Sequence, residues 1–140
     1  MPVDPHIAAV LAMLEESGMP PMHEGTPDAG RAQYLALTHG ARTPEQLVPV
    51  GSTEDLTVPG VQGDLKARVY RPEGEGPFPT VAFFHGGGWV IGDLDTHDNM
   101  ARSVCCGSRA VVIAIDYRLR ANNALFNLVY PFFLDEGPES

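Results

Sequence analysis

The chain has 140 residues, 44% of them hydrophobic and 19% charged, with a formal charge of −9 and a pI near 4.8. That is one domain's worth of chain, and on folding it would bury about two thirds of its unfolded surface, so a real core is expected. The composition excludes a disordered chain, and the acidic balance argues against nucleic acid or anionic membrane as partners.

The opening, MPVDPHIAAV, has neither a basic stretch nor a long apolar one, so no signal peptide is expected. The longest apolar run, around residues 125–134, is broken by Asn127 and Pro131 and is too short for a bilayer. No membrane span and a cytoplasmic location are the expectation. Asp4 and Pro5 predict a helix start. Ile7, Val10, Leu11 and Leu14 then form one apolar stripe, and Gly18 is a natural stop. Thr26-Pro27-Asp28 predicts a second helix that ends near Gly40. Thr43-Pro44-Glu45-Gln46 has capping-box spacing for a short helical turn.

Then the period changes. Residues 52–58 and 65–70 read as strands. In the second, Leu65, Ala67 and Val69 alternate with Lys66, Arg68 and Tyr70, so one buried face is expected. Pro59-Gly60 and Gly63-Asp64 punctuate the connection and predict an antiparallel hairpin. Thr80–Phe84 is apolar on both faces, like an interior strand covered by helices. Asp95 or Thr96 can cap the next helix, whose apolar side carries Met100, Ala101, Val104 and Cys105. Residues 111–115, ended by Asp116, form another doubly apolar strand. Strand, loop, helix, strand is the crossover unit of a parallel sheet. Cys105 and Cys106 are adjacent, without zinc-ligand spacing, and read as small hydrophobes on the helix.

Between the two apolar strands runs FFHGGGWVIGD, residues 83–93. A dinucleotide fingerprint would need glycine at position 91, which is Ile, and a phosphate-binding P-loop would need a lysine that is absent. Asp93, Asp95, His97 and Asp98 suggest a metal loop. However, Asp98 stands where a calcium loop needs glycine and Val104 where it needs glutamate. These side chains read instead as caps for the helix and its dipole, so no metal and no cofactor are expected. The remaining reading is an oxyanion loop. H-G-G-G between a strand and a crossover helix supplies backbone N–H donors in α/β-hydrolase lipases and esterases. Glycine is needed because the backbone must approach the substrate carbonyl in conformations that side chains forbid. One such donor lowers the barrier by about 3 kcal/mol.

On these residues the chain resembles the hormone-sensitive-lipase group of α/β-hydrolases, the bacterial carboxylesterase branch. The matching pieces are DPHIAAVLAMLEESGMPPMHEGTP, VYRPEG, FFHGGGWVIGDLDTHDNMAR and VVIAIDYRL, in unbroken order over residues 4–119. The resemblance implies an α/β-hydrolase fold, of which only the N-terminal half is present. Cap helices would occupy 1–48, the first part of the hydrolase domain 49–119, and a divergent tail 120–140. It also implies site roles. Gly87 and Gly88 would offer the oxyanion N–H groups, Gly86 would shape the turn, and His85 would brace the loop through its ring. Trp89 would line the acyl or alcohol pocket, while Asp116, Tyr117 and Arg118 would fix the chain after the fourth strand. The substrate would be a small carboxylic ester.

After Leu119 the family's Ala-Pro-Glu and Pro-Phe-Pro-Ala pieces do not follow; the tail ANNALFNLVYPFFLDEGPES stands instead. The serines at 17, 52, 103, 108 and 140 all lack the flanking glycines of G-x-S-x-G, and no histidine follows His97. A triad in the order Ser, Asp or Glu, His therefore has no members here. The expected protein is an N-terminal portion of a carboxylesterase, truncated by a frameshift, insertion or gene boundary and inactive alone. The alternatives are a non-catalytic binding or regulatory protein of the family, and one half of a split esterase. Without a fifth strand, Thr80–Phe84 would be an exposed sheet edge open to self-association.

Overall fold

The computed structural model describes residues 3–119, so the expectations for the tail over 120–140 lie outside the described residues. Its regular elements are α1 Pro5–Glu16, α2 Pro27–Leu35, β1 Ser52–Val58, β2 Leu65–Arg71, β3 Thr80–Phe84, α3 Asp98–Ser108 and β4 Val111–Asp116. The local signals act where they stand. Asp4 accepts the His6 N–H at 2.9 Å to start α1, and Gly18 turns the chain at φ +64°. The Thr26 hydroxyl accepts the Ala29 N–H at 3.2 Å to start α2, and a wider turn over Ala36–Gly40 carries that helix to its expected end. At the Pro44–Gln46 turn the Gln46 side chain accepts the Thr43 N–H at 2.8 Å. The α1 stripe, in contrast, packs into no core among the described residues: Ile7 is 54% exposed and no residue of the helix is buried.

The four strands form one mixed sheet in the order β1-β2-β4-β3. β1 and β2 pair antiparallel from Ser52 opposite Arg71 to Val58 opposite Leu65, which is the expected hairpin. β2 also pairs antiparallel with β4, and β3 runs parallel to β4 from Thr80 opposite Val111 to Phe84 opposite Ile115. The parallel pair is joined through α3. That helix buries Ala101 and Cys105 against Tyr70, Leu94, Val112 and Ala114. Burying an aliphatic side chain such as Val112 stabilises by about 1.5–3 kcal/mol.

Three expectations are corrected, and one about the sheet edge is met. Tyr70 does not face solvent; it is fully buried, because α3 covers the row that alternation assigned to water. Thr80–Phe84, apolar on both faces, stands at the edge of the described sheet, as expected without a fifth strand, and Phe84 is 64% exposed. On α3, Met100 faces outward, whereas Ala101 and Cys105 face in as expected. Neither Asp95 nor Thr96 caps α3. The Asp93 carboxylate accepts the N–H groups of Asp95 (3.0 Å) and Thr96 (2.7 Å), which closes a turn one step ahead of the helix.

Asp98, in the first turn of α3, ties these layers together. Its carboxylate accepts from Tyr70 Oη at 2.8 Å and Arg102 Nε at 2.8 Å, with Arg68 at 3.5 Å and Arg42 at 4.0 Å. Arg68 in turn reaches Asp95 at 2.9 Å and Asp55, which joins β1, β2 and the approach to α3.

Candidate oxyanion site

The glycine loop leaves β3 at Phe84 and returns to the turn at Asp93. Gly87 has φ +121°, Gly88 +61° and Gly92 +97°. A Cβ on Gly87 would land on the Ile91 carbonyl, 2.7 Å from its carbon, and one on Gly92 would stand 2.6 Å from His85 Nδ1. Both positions therefore require glycine for conformation and for space. The Gly87 carbonyl accepts two N–H groups, from Val90 at 3.1 Å and Ile91 at 3.0 Å. The peptide joining Gly87 to Gly88 is trans, so its N–H points opposite to that carbonyl. Pinning the oxygen inward thus aims the Gly88 N–H away from the turn. Among the described residues no acceptor bonds the N–H of Gly87 or Gly88. Trp89 follows at φ +60°, a left-handed conformation that costs a bulky residue about 1–3 kcal/mol, and it is 56% exposed.

His85 is buried where the loop begins. Its Nδ1 lies 2.8 Å from the Gly86 carbonyl, which can only accept, so Nδ1 is the donor in this bond. Nε2 has no bonding partner among the described residues. The Tyr117 ring stacks on the imidazole at 4.4 Å and 17°, and its hydroxyl donates to the His85 carbonyl at 2.5 Å. The parallel pairing of β3 with β4 is what brings Tyr117 there. The next residue, Arg118, donates to the carbonyls of Gln62 and Gly63 and so closes the hairpin turn.

A profile of the α/β-hydrolase fold family matches residues 81–126, running past the point where the sequence motifs stop. Carboxylic ester hydrolase LipN of Mycobacterium tuberculosis is 45% identical over 91 residues, which cover 65% of this chain and 23% of that protein. Carboxylesterase NlhH of the same organism is 40% identical over 99 residues, covering 69% of this chain and 29% of that protein. The solved esterase of Pyrobaculum calidifontis superposes with a TM-score of 0.69 at 32% identity, covering 85% of this chain and 37% of that one. The chain belongs to the α/β-hydrolase fold family. Its relatives here are hormone-sensitive-lipase-like carboxylesterases, and it spans less than a third of the length of LipN or NlhH.

In an α/β-hydrolase the nucleophile stands on a tight strand-to-helix elbow. None of the described serines does. Ser17 follows α1, Ser52 begins β1, and the hydroxyls of Ser103 and Ser108 donate to the α3 carbonyls of Asn99 and Val104. No group of metal-ligating side chains forms among the described residues. No helix among them is long and apolar enough to cross a membrane. Two contacts on the hydrolase loop have no sequence signal: Arg31 of α2 donates through Nε to the Val90 carbonyl at 2.8 Å, and Gly30 packs on Ile91.

His97 stands behind His85, with ring centroids 5.2 Å apart. Burial, helped by the neighbouring His85, pushes its pKa below the usual 6.5, while Asp93 opposes this. The unfolded chain therefore takes up a proton at His97 before the folded one does. Its contribution is present above the unfolded value and is lost as pH falls through that value toward the lower folded one. Wild type is expected to lose stability between about pH 7.5 and 5.5 more steeply than His97→Gln, read as urea midpoints. Parallel profiles for the two proteins would show that His97 does not carry the dependence.

Proposed function

We propose that residues 83–92 are the oxyanion loop of a carboxylic ester hydrolase, with the N–H groups of Gly87 and Gly88 as donors. The observation that carries this reading is the doubly bonded Gly87 carbonyl, which fixes the direction of the Gly88 N–H before any substrate arrives. In acyl transfer, attack on the ester carbonyl puts negative charge on its oxygen, and donors already in place stabilise that charge without reorganising. Gly86 shapes the turn, His85 braces it from beneath, and Trp89 lines the acyl or alcohol pocket. Residues 1–48 serve as cap and 49–119 as the first part of the hydrolase domain. These 140 residues contain no G-x-S-x-G and no histidine after His97, so nucleophile and base must come from outside them. The chain alone is then a donor half without chemistry.

The test is complementation. The downstream half of a related esterase, added to this chain, should restore ester hydrolysis. Gly88→Pro should then lower the restored kcat by about 100-fold or more, since proline has no N–H to donate. Equal activity with and without the substitution would remove Gly88 from the role.

The outer edge of β3 supports a second proposal, self-association. Its backbone groups pair with no strand on that side among the described residues, and TVAFF carries no charge or proline to protect it. Size-exclusion chromatography should show a concentration-dependent oligomer that Phe84→Lys weakens. A wild-type monomer at every concentration would end this proposal.

A further inference from the structure

Two peptide units and one guanidinium form a continuous chain of hydrogen bonds that ends at the proposed donor. Arg31 Nε donates to the Val90 carbonyl at 2.8 Å. That carbonyl shares its peptide with the Ile91 N–H, which donates to the Gly87 carbonyl at 3.0 Å. The Gly87 carbonyl shares its peptide with the Gly88 N–H. Each peptide is trans, so each passes the bond from its oxygen to its N–H on the far side.

We propose that Arg31 is a positioning residue for the Gly88 donor, acting from the helix α2 through these two peptides. A charged donor at the head of such a chain polarises every member in one direction, and linked bonds strengthen one another by about 10–30% each. The charge draws electron density from the Val90 carbonyl, which makes the Ile91 N–H a better donor to Gly87. The Gly87 carbonyl, so engaged, leaves the Gly88 N–H more positive and fixed in direction. The helix meets the loop at one further point: a Cβ on Gly30 would stand 3.6 Å from the Ile91 side chain, so α2 lies directly against the loop, while Asp28, one turn back on the same helix, pairs with Arg31 at 2.7 Å. A shift of α2 would be felt at Gly88 although no α2 side chain touches it. The N-terminal segment thereby regulates the loop as well as covering it.

The consequence for catalysis rests on the oxyanion reading, but the relay itself is read on the 140-residue chain without catalysis. The probe is the amide spectrum of protein labelled with 15N only at its 15 glycines. In Arg31→Met the Gly88 amide proton should move upfield while Gly107, far along α3, stays in place. The fluorescence of Trp89, the only tryptophan in the chain, should change with it. Arg31→Lys keeps the charge without the Nε fork and should shift Gly88 by an intermediate amount. It also serves as the test if the methionine variant does not fold. A Gly88 resonance that stays put in the folded variants overturns the proposal. So does a wild-type loop whose glycines are broadened away, since the relay requires one fixed conformation. If Gly88 responds to Arg31 but Gly88→Pro leaves complemented activity intact, the relay stands and the oxyanion reading falls. The reverse pattern separates them the other way.

Discussion

The 140-residue chain, purified alone, is expected to hydrolyse short-chain aryl esters no faster than buffer does. Enzymes lower such barriers by about 8–23 kcal/mol. An oxyanion donor contributes about 2.7–4 kcal/mol of that, and only once a nucleophile has put charge on the carbonyl oxygen. The described side chains offer no nucleophile to do so. The hydroxyls of Ser103 and Ser108 are spent on helix carbonyls. Cys105 is buried, and burial pushes its thiol pKa up, away from the reactive thiolate. Cys106 is exposed on α3, a regular helix rather than an elbow. His85 is buried with its Nε2 shut away from solvent, and His97 is buried behind it. Saturable turnover by the isolated chain, abolished by a serine-directed phosphonate, would contradict this. It would mean that a serine among the five here is activated in a way the fold does not suggest.

Where the sequence could be read, the cause was local. Thr26-Pro27 and Asp4-Pro5 start helices through bonds that span a few residues, so spacing alone reveals them. The hairpin followed from its turn residues and from alternation. The glycine loop was legible because positive φ at Gly87 and a close approach at Gly92 leave one residue type that fits. Tyr70 was misassigned because a period of two says which residues share a face but not whether α3 will cover the second face. The cap of α3 was misassigned because three acidic or hydroxyl side chains compete there, and Asp93 takes the amides first. The Arg31 bond to Val90 spans 59 positions, and nothing near either residue announces it. Long-range polar contacts of that kind arise from how the elements are packed, which a single chain's pattern does not encode.

Asp98→Ala is expected to destabilise the chain by about 3–5 kcal/mol, a large share of the roughly 5–15 kcal/mol that holds a domain together. The Asp98 side chain is 8% exposed, yet it faces Tyr70, Arg68, Arg102 and, at 4.0 Å, Arg42. Removing it strands the buried Tyr70 hydroxyl and leaves the largely covered Arg102 guanidinium with the Val48 carbonyl at 3.4 Å. That costs more than losing a bond whose two partners both return to water. Arg68 keeps Asp55 and Asp95, so its share of the loss is small. Arg102 and Tyr70 lose their carboxylate partner outright. Asp98→Asn should fall between, since an amide oxygen can still accept from Tyr70 while the charge is gone. Tyr70→Phe should cost only about 1 kcal/mol, one hydrogen bond with the ring's packing kept. Urea midpoints for the three variants test this order, and an Asp98→Ala loss no larger than that of Tyr70→Phe would show the network to be ornamental. The effect would also reach the glycine loop. Asp98 begins α3 directly after the turn that Asp93 closes, and Arg42 reaches from the N-terminal segment to both Asp98 and the Asp95 carbonyl. Loosening this carboxylate therefore frees the far end of the loop from the sheet and from the segment that carries α2, so its donors should lose their fixed direction before the fold itself is lost.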